Sequence, residues 1–248
     1  MDTLIRRVRR SGLLELVLAS PHNRNALSRQ LVAELFEGLA SAERDPEVAV
    51  VLIRQEGPVF CSGADLSEMT DSNVRDAPKA MVLLQHRMAT LSKPVVVRVE
   101  GAVRAGGIGI VAAADVAVAA TDASFALTEV RLGLAPAVVS APLLARMHPR
   151  AVSRYFLTAE TFDGATAEKV GLATLAVARA ELDTAVEEVC TALLEAKPQG
   201  LRETKKLTNA SLVAELTNRG DDLAELSASL FGSDVAQAAM SRFLARTK

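Results

Sequence analysis

The chain has 248 residues, half of them hydrophobic, and a formal net charge of −2. That is enough apolar material for one large core, and the charge gives no reason to expect nucleic-acid binding. With seven Phe, one Tyr and no Trp, the core has to be built from Ala, Val and Leu.

The basic cluster Arg6, Arg7, Arg9 and Arg10 reads as a solvated edge near the terminus. No apolar stretch followed by small residues opens the chain, so no signal peptide is expected. Apolar runs such as 132–145 meet an arginine before they reach membrane-spanning length. Cys61 and Cys190 are too few for a disulfide framework and suit no metal site, so a cytoplasmic setting is expected.

LLELVLAS at 13–20 predicts a strand that Pro21 stops. From Leu27, the positions Leu31, Val32, Leu35, Phe36 and Leu39 recur at helical spacing up to Asp45-Pro46. VAVVLIR at 48–54 reads as a buried strand, broken by Gly57-Pro58. Residues 67–79, rich in Asp, Ser and Asn, read as a mobile loop, and a helix follows to about Thr90. Lys93-Pro94 opens VVVRV; a helix carries Ile108 to Ala114; VAVAA and SFAL are further strands. Ala165–Val170 reads as helical, stopped by Gly171. From Glu181 the pattern is helical over 181–196, 199–216 and 221–246. Strand–helix alternation through the first three-quarters predicts an α/β fold with largely parallel sheet.

Chemistry concentrates in three segments. FCSGADL at 60–66 and EGAVRAGGIGI at 100–110 each follow a β-branched run, and FALTEVRLGLAP at 125–136 contributes a carboxylate, Glu129. Gly63 permits a sharp turn that frees the Ala64 N–H. Gly106-Gly107 allows close backbone approach at a helix start. Two such donors make an oxyanion hole. Asp65 is placed to cap the turn after it.

Together these segments resemble the crotonase (enoyl-CoA hydratase/isomerase) superfamily. The likeness extends over NRNALS at 23–28, KPVVVRVEG at 93–101, Asp115 and VGLA at 170–173, and more weakly to SRFLAR at 241–246. It implies a ββα spiral core over residues 1–195, then a C-terminal all-helical oligomerisation region over 196–248, in a homotrimer or homohexamer. It makes Ala64 and Gly106 the oxyanion donors and Glu129 the proton carrier. Arg24, Ala26 and the Ala64, Asp65, Leu66 and Ser67 backbone would line a coenzyme A site. Lys205, Lys206 and Arg246 read as a solvated helix face, with contact to the coenzyme A phosphates as the alternative. No metal or redox cofactor is implied, coenzyme A being part of the substrate.

Two departures from the superfamily pattern bear on the reaction. Gly109, three residues after Gly106, stands where two-glutamate hydratases carry a second acid, and a side chain there is expected to reach the substrate. Ala137, eight residues after Glu129, stands where dienoyl-CoA isomerases and hydroxyisobutyryl-CoA hydrolases place an aspartate. TEVRLGLAPAVVS resembles methylglutaconyl-CoA hydratase-like bacterial members, which also have glycine at the vacant position. The implied activity is hydration of a 2-enoyl-CoA. Δ3-Δ2-enoyl-CoA isomerisation and a silent acyl-CoA-binding subunit are the alternatives. Arg104 is a candidate for meeting a substrate carboxylate.

Overall fold

A computed structural model describes residues 3–68 and 73–246. Six strands form the larger sheet: β1 (Ile5–Arg10), β2 (Leu13–Leu18), β3 (Val50–Gln55), β5 (Val95–Val99), β7 (Val116–Ala120) and β10 (Leu175–Val177), in that spatial order. Four short strands form the second: β4 (Val59–Cys61), β6 (Ala102–Arg104), β8 (Ser124–Ala126) and β9 (Phe162–Asp163). After the β1–β2 pair, both in the large sheet, each of β3–β4, β5–β6 and β7–β8 lays one strand in the large sheet and the next in the small one. A helix then returns the chain: α1 (Arg29–Arg44), α2 (Asn73–Thr90) and α3 (Gly106–Ala113). This is the expected ββα spiral. All pairings are parallel except β1 with β2 and β8 with β9.

The central strands are buried on both faces, which is why they read as unbroken Val, Leu and Ile runs. Even Glu15 in β2 is buried, held by the Arg10 and Arg54 guanidiniums at 2.7 Å each. The basic cluster is the edge strand β1, which periodicity missed because arginine alternates with little that is apolar. Arg6, Arg7 and Arg9 pair with Glu56, Glu37 and Asp45. Charge along an exposed edge also discourages strand addition. In α1, Ser28 Oγ accepts the Leu31 N–H, and Leu31, Leu35 and Leu39 face the core.

The loop expected at 67–79 is largely structured: Leu66–Glu68 is a 3-10 turn and α2 is helical from Asn73, while 69–72 lie outside the described residues. Arg75, Asp76 and Lys79 are exposed on a helix whose Val74, Met81 and Val82 are buried.

After β8 come α4 (Ala137–Arg146), α5 (Pro149–Thr158), α6 (Gly164–Lys169) and α7 (Leu182–Glu195), with Gly171 closing the turn after α6 at φ +86°. The last helices are α8 (Pro198–Thr208), α9 (Ala210–Phe231) and α10 (Asp234–Arg246). Their breaks differ from the expected 199–216 and 221–246. The first falls at Asn209, because that side chain is drawn inward: its Nδ2 donates to Asp115 Oδ1 at 2.8 Å and to the Ala89 carbonyl at 3.1 Å. Arg146 donates to its Oδ1 at 2.7 Å.

Beside it Lys205, expected on a solvated face, is buried. Its ammonium is 2.7 Å from Asp115 and donates to the Met88 and Lys93 carbonyls. Lys206 is exposed and pairs with Glu203; the Arg246 side chain lies outside what the structure describes. This buried network fastens α8 to the core and sets α9 across α2 and α4. Among the described residues no helix is long and apolar enough to cross a membrane.

Replacing Lys205 by Met leaves Asp115 without its cation and should cost about 3–5 kcal/mol, read from the denaturant midpoint. The double variant Lys205→Met, Asp115→Leu should recover part of that loss. A single variant as stable as the parent would show that the pair does not hold the C-terminal helices.

Candidate active site

The site begins where two strands of the small sheet end against each other. After β4 the chain turns at Gly63, whose φ of +93° is open to glycine at little cost. A Cβ placed there would lie 3.0 Å from the Cβ of Ala105. Ala105, following β6, holds a strained φ of 46° and ψ of −121°. Its N–H donates to the Ala126 carbonyl at 3.2 Å and its carbonyl accepts from Ile108 at 2.9 Å, which sets the backbone for the start of α3. Sequence reasoning noted the glycines and missed this alanine.

Ala64 and Gly106 each follow one member of that contact. Leu27 donates to the Gly63 carbonyl at 2.8 Å and accepts from Asp65 at 3.4 Å. In such a bridge the intervening residue turns its own N–H the other way, so that of Ala64 leaves the ladder. The Gly106 N–H opens α3 and has no acceptor within the helix, at the positive end of its dipole.

Asn25 positions the third wall. Fully buried, it accepts the Ser20 N–H and donates to the Glu56 and Val59 carbonyls, tying the NRNALS turn to the β3–β4 connection. It holds a left-handed φ of 51°, as does Arg24 at 60°. Asp65 accepts from the Ser67 N–H at 3.0 Å and hydroxyl at 2.6 Å, capping the 3-10 turn as expected.

Glu129 opens a single 3-10 turn after β8. Its Oε2 is fully buried and has no hydrogen-bond partner among the described residues. Burial pushes its pKa up to about 7, only partly offset by a backbone hydrogen bond. Such a group can both take and give a proton near neutrality.

Two cavities meet at this carboxylate. The smaller, about 390 Å³, is mainly apolar: α1 contributes Val32 and Phe36, α2 contributes Met81, and α9 contributes Ser227 and Phe231. The larger, about 860 Å³, is lined by Arg24, Ala26, Asp65, Leu66 and Ser67 and reaches Arg242 on α10. Ala64, Ala105 and Glu129 line both, and Gly106 lines the smaller. The structure thus gathers Ala64, Gly106, Glu129, Arg24, Ala26, Asp65, Leu66 and Ser67 around these cavities, whereas Gly109, Lys205 and Lys206 line neither. The contribution of α9 had no signal in the sequence, because Phe231 reaches the site only through long-range packing.

Gly109 is not an open position. A Cβ there would come within 2.7 Å of Val139 Cγ1, 2.9 Å of Gln85 Nε2 and 3.2 Å of Met81 Cε. The expectation that a side chain at 109 would reach the substrate is therefore corrected: α2 and α4 already fill the space. Arg104 lines the larger cavity, its guanidinium bonded to the Val103 and Ser124 carbonyls and to Ser124 Oγ. Arg131 donates to the Ala159 carbonyl. Burial raises the Cys61 thiol to about 12, which rules it out as a nucleophile near neutrality. Among the described residues no group of three or more His, Cys, Asp or Glu is placed to hold a metal ion.

Residues 9–248 match the enoyl-CoA hydratase/isomerase family. The chain belongs to that family. Its fold superimposes on a crystal structure of an enoyl-CoA hydratase from Mycobacterium avium with a TM-score of 0.92, at 41% identity over 99% of this chain and 98% of that one. Among curated relatives, the mevalonyl-coenzyme A hydratase sidH of Aspergillus fumigatus is 31% identical over 77% of this chain and 73% of its own length. The hydroxycinnamoyl-CoA hydratase-lyase of Pseudomonas fluorescens is 29% identical over 78% and 74%. Members of one family thus carry names for different acyl groups and reactions, and the reaction here has to be argued from the site.

The packing around Gly109 makes a prediction of its own. Gly109→Glu should lower stability by about 1–3 kcal/mol through overpacking, read from the denaturant midpoint, with no gain in hydration of any 2-enoyl-CoA. A variant of parental stability that hydrates small 2-enoyl-CoAs faster would show that the position is open after all.

Proposed function

We propose that the protein hydrates a 2-enoyl-CoA, with Glu129 as the single proton carrier. The observation that supports this most is the unpartnered, buried Glu129 carboxylate beside the Ala64 and Gly106 N–H groups, where two cavities meet. The apolar cavity suits an acyl chain. The larger one suits the coenzyme A moiety, with Arg24, Ala26 and the Ala64–Ser67 backbone along it. The thioester oxygen then sits on the two donors, which stabilise the negative charge it acquires as water adds; each contributes about 3 kcal/mol to the transition state. Glu129 takes a proton from water and returns one to the carbon next to the thioester. Every step falls to protein groups and substrate; coenzyme A enters as part of the thioester.

One observation favours a second reading. With glycine at 109 and Val139, Gln85 and Met81 packed around it, the site has no second carboxylate at that position, and a single carboxylate is sufficient for Δ3-Δ2-enoyl-CoA isomerisation. The family resemblance supports a homotrimer or homohexamer, and strongly exposed Leu157 and Leu207 supply apolar surface for such contacts.

The test is to incubate the protein with 2-enoyl-CoAs of several lengths and with a 3-enoyl-CoA, and to weigh the products. A product heavier by one water is expected from the 2-enoyl series; a 3-enoyl-CoA that shifts its double bond, with no water added to any ester, contradicts hydration and supports the isomerase. Glu129→Gln should lower turnover by at least ~100-fold while ester binding persists. Hydration begins from the carboxylate form, so kcat/KM should rise with pH and level off above the raised pKa of about 7. A level near pH 5 as high as at pH 8 would sink the assignment.

A further inference from the structure

Gln85 lies in the middle of α2 with no exposed surface, and among the described residues neither end of its carboxamide has a hydrogen-bond partner. Buried amides in folded proteins are nearly always paired, so an orphan of this kind points to a ligand that belongs there. A leucine or methionine would fill the same space with no unmet polar atom.

Its position relates it to the site. The Gln85 amide nitrogen is 2.9 Å from the point a Cβ on Gly109 would occupy. Gly109 lies three residues after Gly106 on α3, roughly 5 Å along the helix axis from the donor. Gln85 lines neither cavity, whereas Met81, which precedes it by one turn on the same face of α2, lines the apolar one. Its methyl is 3.2 Å from the Gly109 point and its sulfur 3.9 Å from the equivalent point on Gly106. Met81 also lines the cavity shared by Gly106 and Glu129. An unbranched thioether re-orients readily, and its displacement connects the amide to that cavity.

We propose that the Gln85 carboxamide is the second polar group of the reaction site, accepting one hydrogen bond from the water that adds to the enoyl thioester. This rests on the hydratase reading. Water oxygen bonds to the carbon distal to the thioester, and the double-bond electrons move to the thioester oxygen held by Ala64 and Gly106. One water proton passes to the Glu129 carboxylate; the enolate then collapses and takes that proton on the adjacent carbon. Gln85 neither gains nor loses a proton. It orients the water, and so does from α2 what no side chain at position 109 can do from α3.

The test compares Gln85→Leu, Gln85→Met and Gln85→Glu by two readouts. One is hydration of a 2-enoyl-CoA; the other is deuterium exchange at the carbon next to the thioester in a saturated acyl-CoA, which uses Glu129 and the donors but no added water. In the Leu and Met variants the ratio of hydration to exchange should fall roughly 100-fold, the scale of a misplaced reactant. Gln85→Glu, which keeps an acceptor, should retain most of the ratio. An unchanged ratio, or hydration and exchange falling together, overturns the role of Gln85 alone. A parent protein that exchanges hydrogen yet hydrates nothing overturns the hydratase reading and this proposal with it. Failure of both apolar variants to fold would make Gln85 a core residue and also overturn it.

Discussion

The close approach of Gly63 to Ala105 is the constraint on which the site depends. Two strand ends from successive turns of the spiral meet there with no side chain larger than a methyl between them. That spacing sets Ala64 and Gly106, the proposed oxyanion donors, on the wall of one cavity. The strain in Ala105 is held by hydrogen bonds to β8 and to α3, so the donors are fixed before any ligand arrives. Donors already in place need not reorganise when charge develops, and this is where their advantage over water lies.

The carboxylate obeys the opposite logic. Backbone donors are effective because they are aimed, whereas the role proposed for Glu129 depends on its buried Oε2 having no partner among the described residues. A hydrogen bond to that oxygen would favour the charged form and lower the pKa; burial without one raises it. The 3-10 turn at Glu129–Leu132 supplies the rigidity, closed by Gly133 and by the Leu134 N–H bonding back to the Glu129 carbonyl.

Much of this was legible in the sequence, since parallel sheet buried on both faces leaves unbroken Val and Ile runs, and turns at strand ends leave glycines. The two glycine segments bearing Ala64 and Gly106 stood out on that basis, whereas Glu129 was singled out by the resemblance of FALTEVRLGLAP to the superfamily. What stayed hidden was everything set by distant packing. Lys205 looked like a surface lysine because its partner, Asp115, is ninety residues away in the chain. Asn209 ends a helix through a bond to the same aspartate, which no helical periodicity encodes. Gly109 looked like a gap because neither Gln85 nor Val139 is near it in sequence.

The central claim is that Glu129 is a proton carrier poised near neutrality. Carbon-13 NMR of glutamate-labelled protein, with Glu129→Gln used to assign the resonance, measures this directly. The account predicts a carboxyl that titrates at about 7 in the free enzyme. A midpoint at the ordinary glutamate value of about 4.3 would mean that the carboxylate is solvated, and would contradict it.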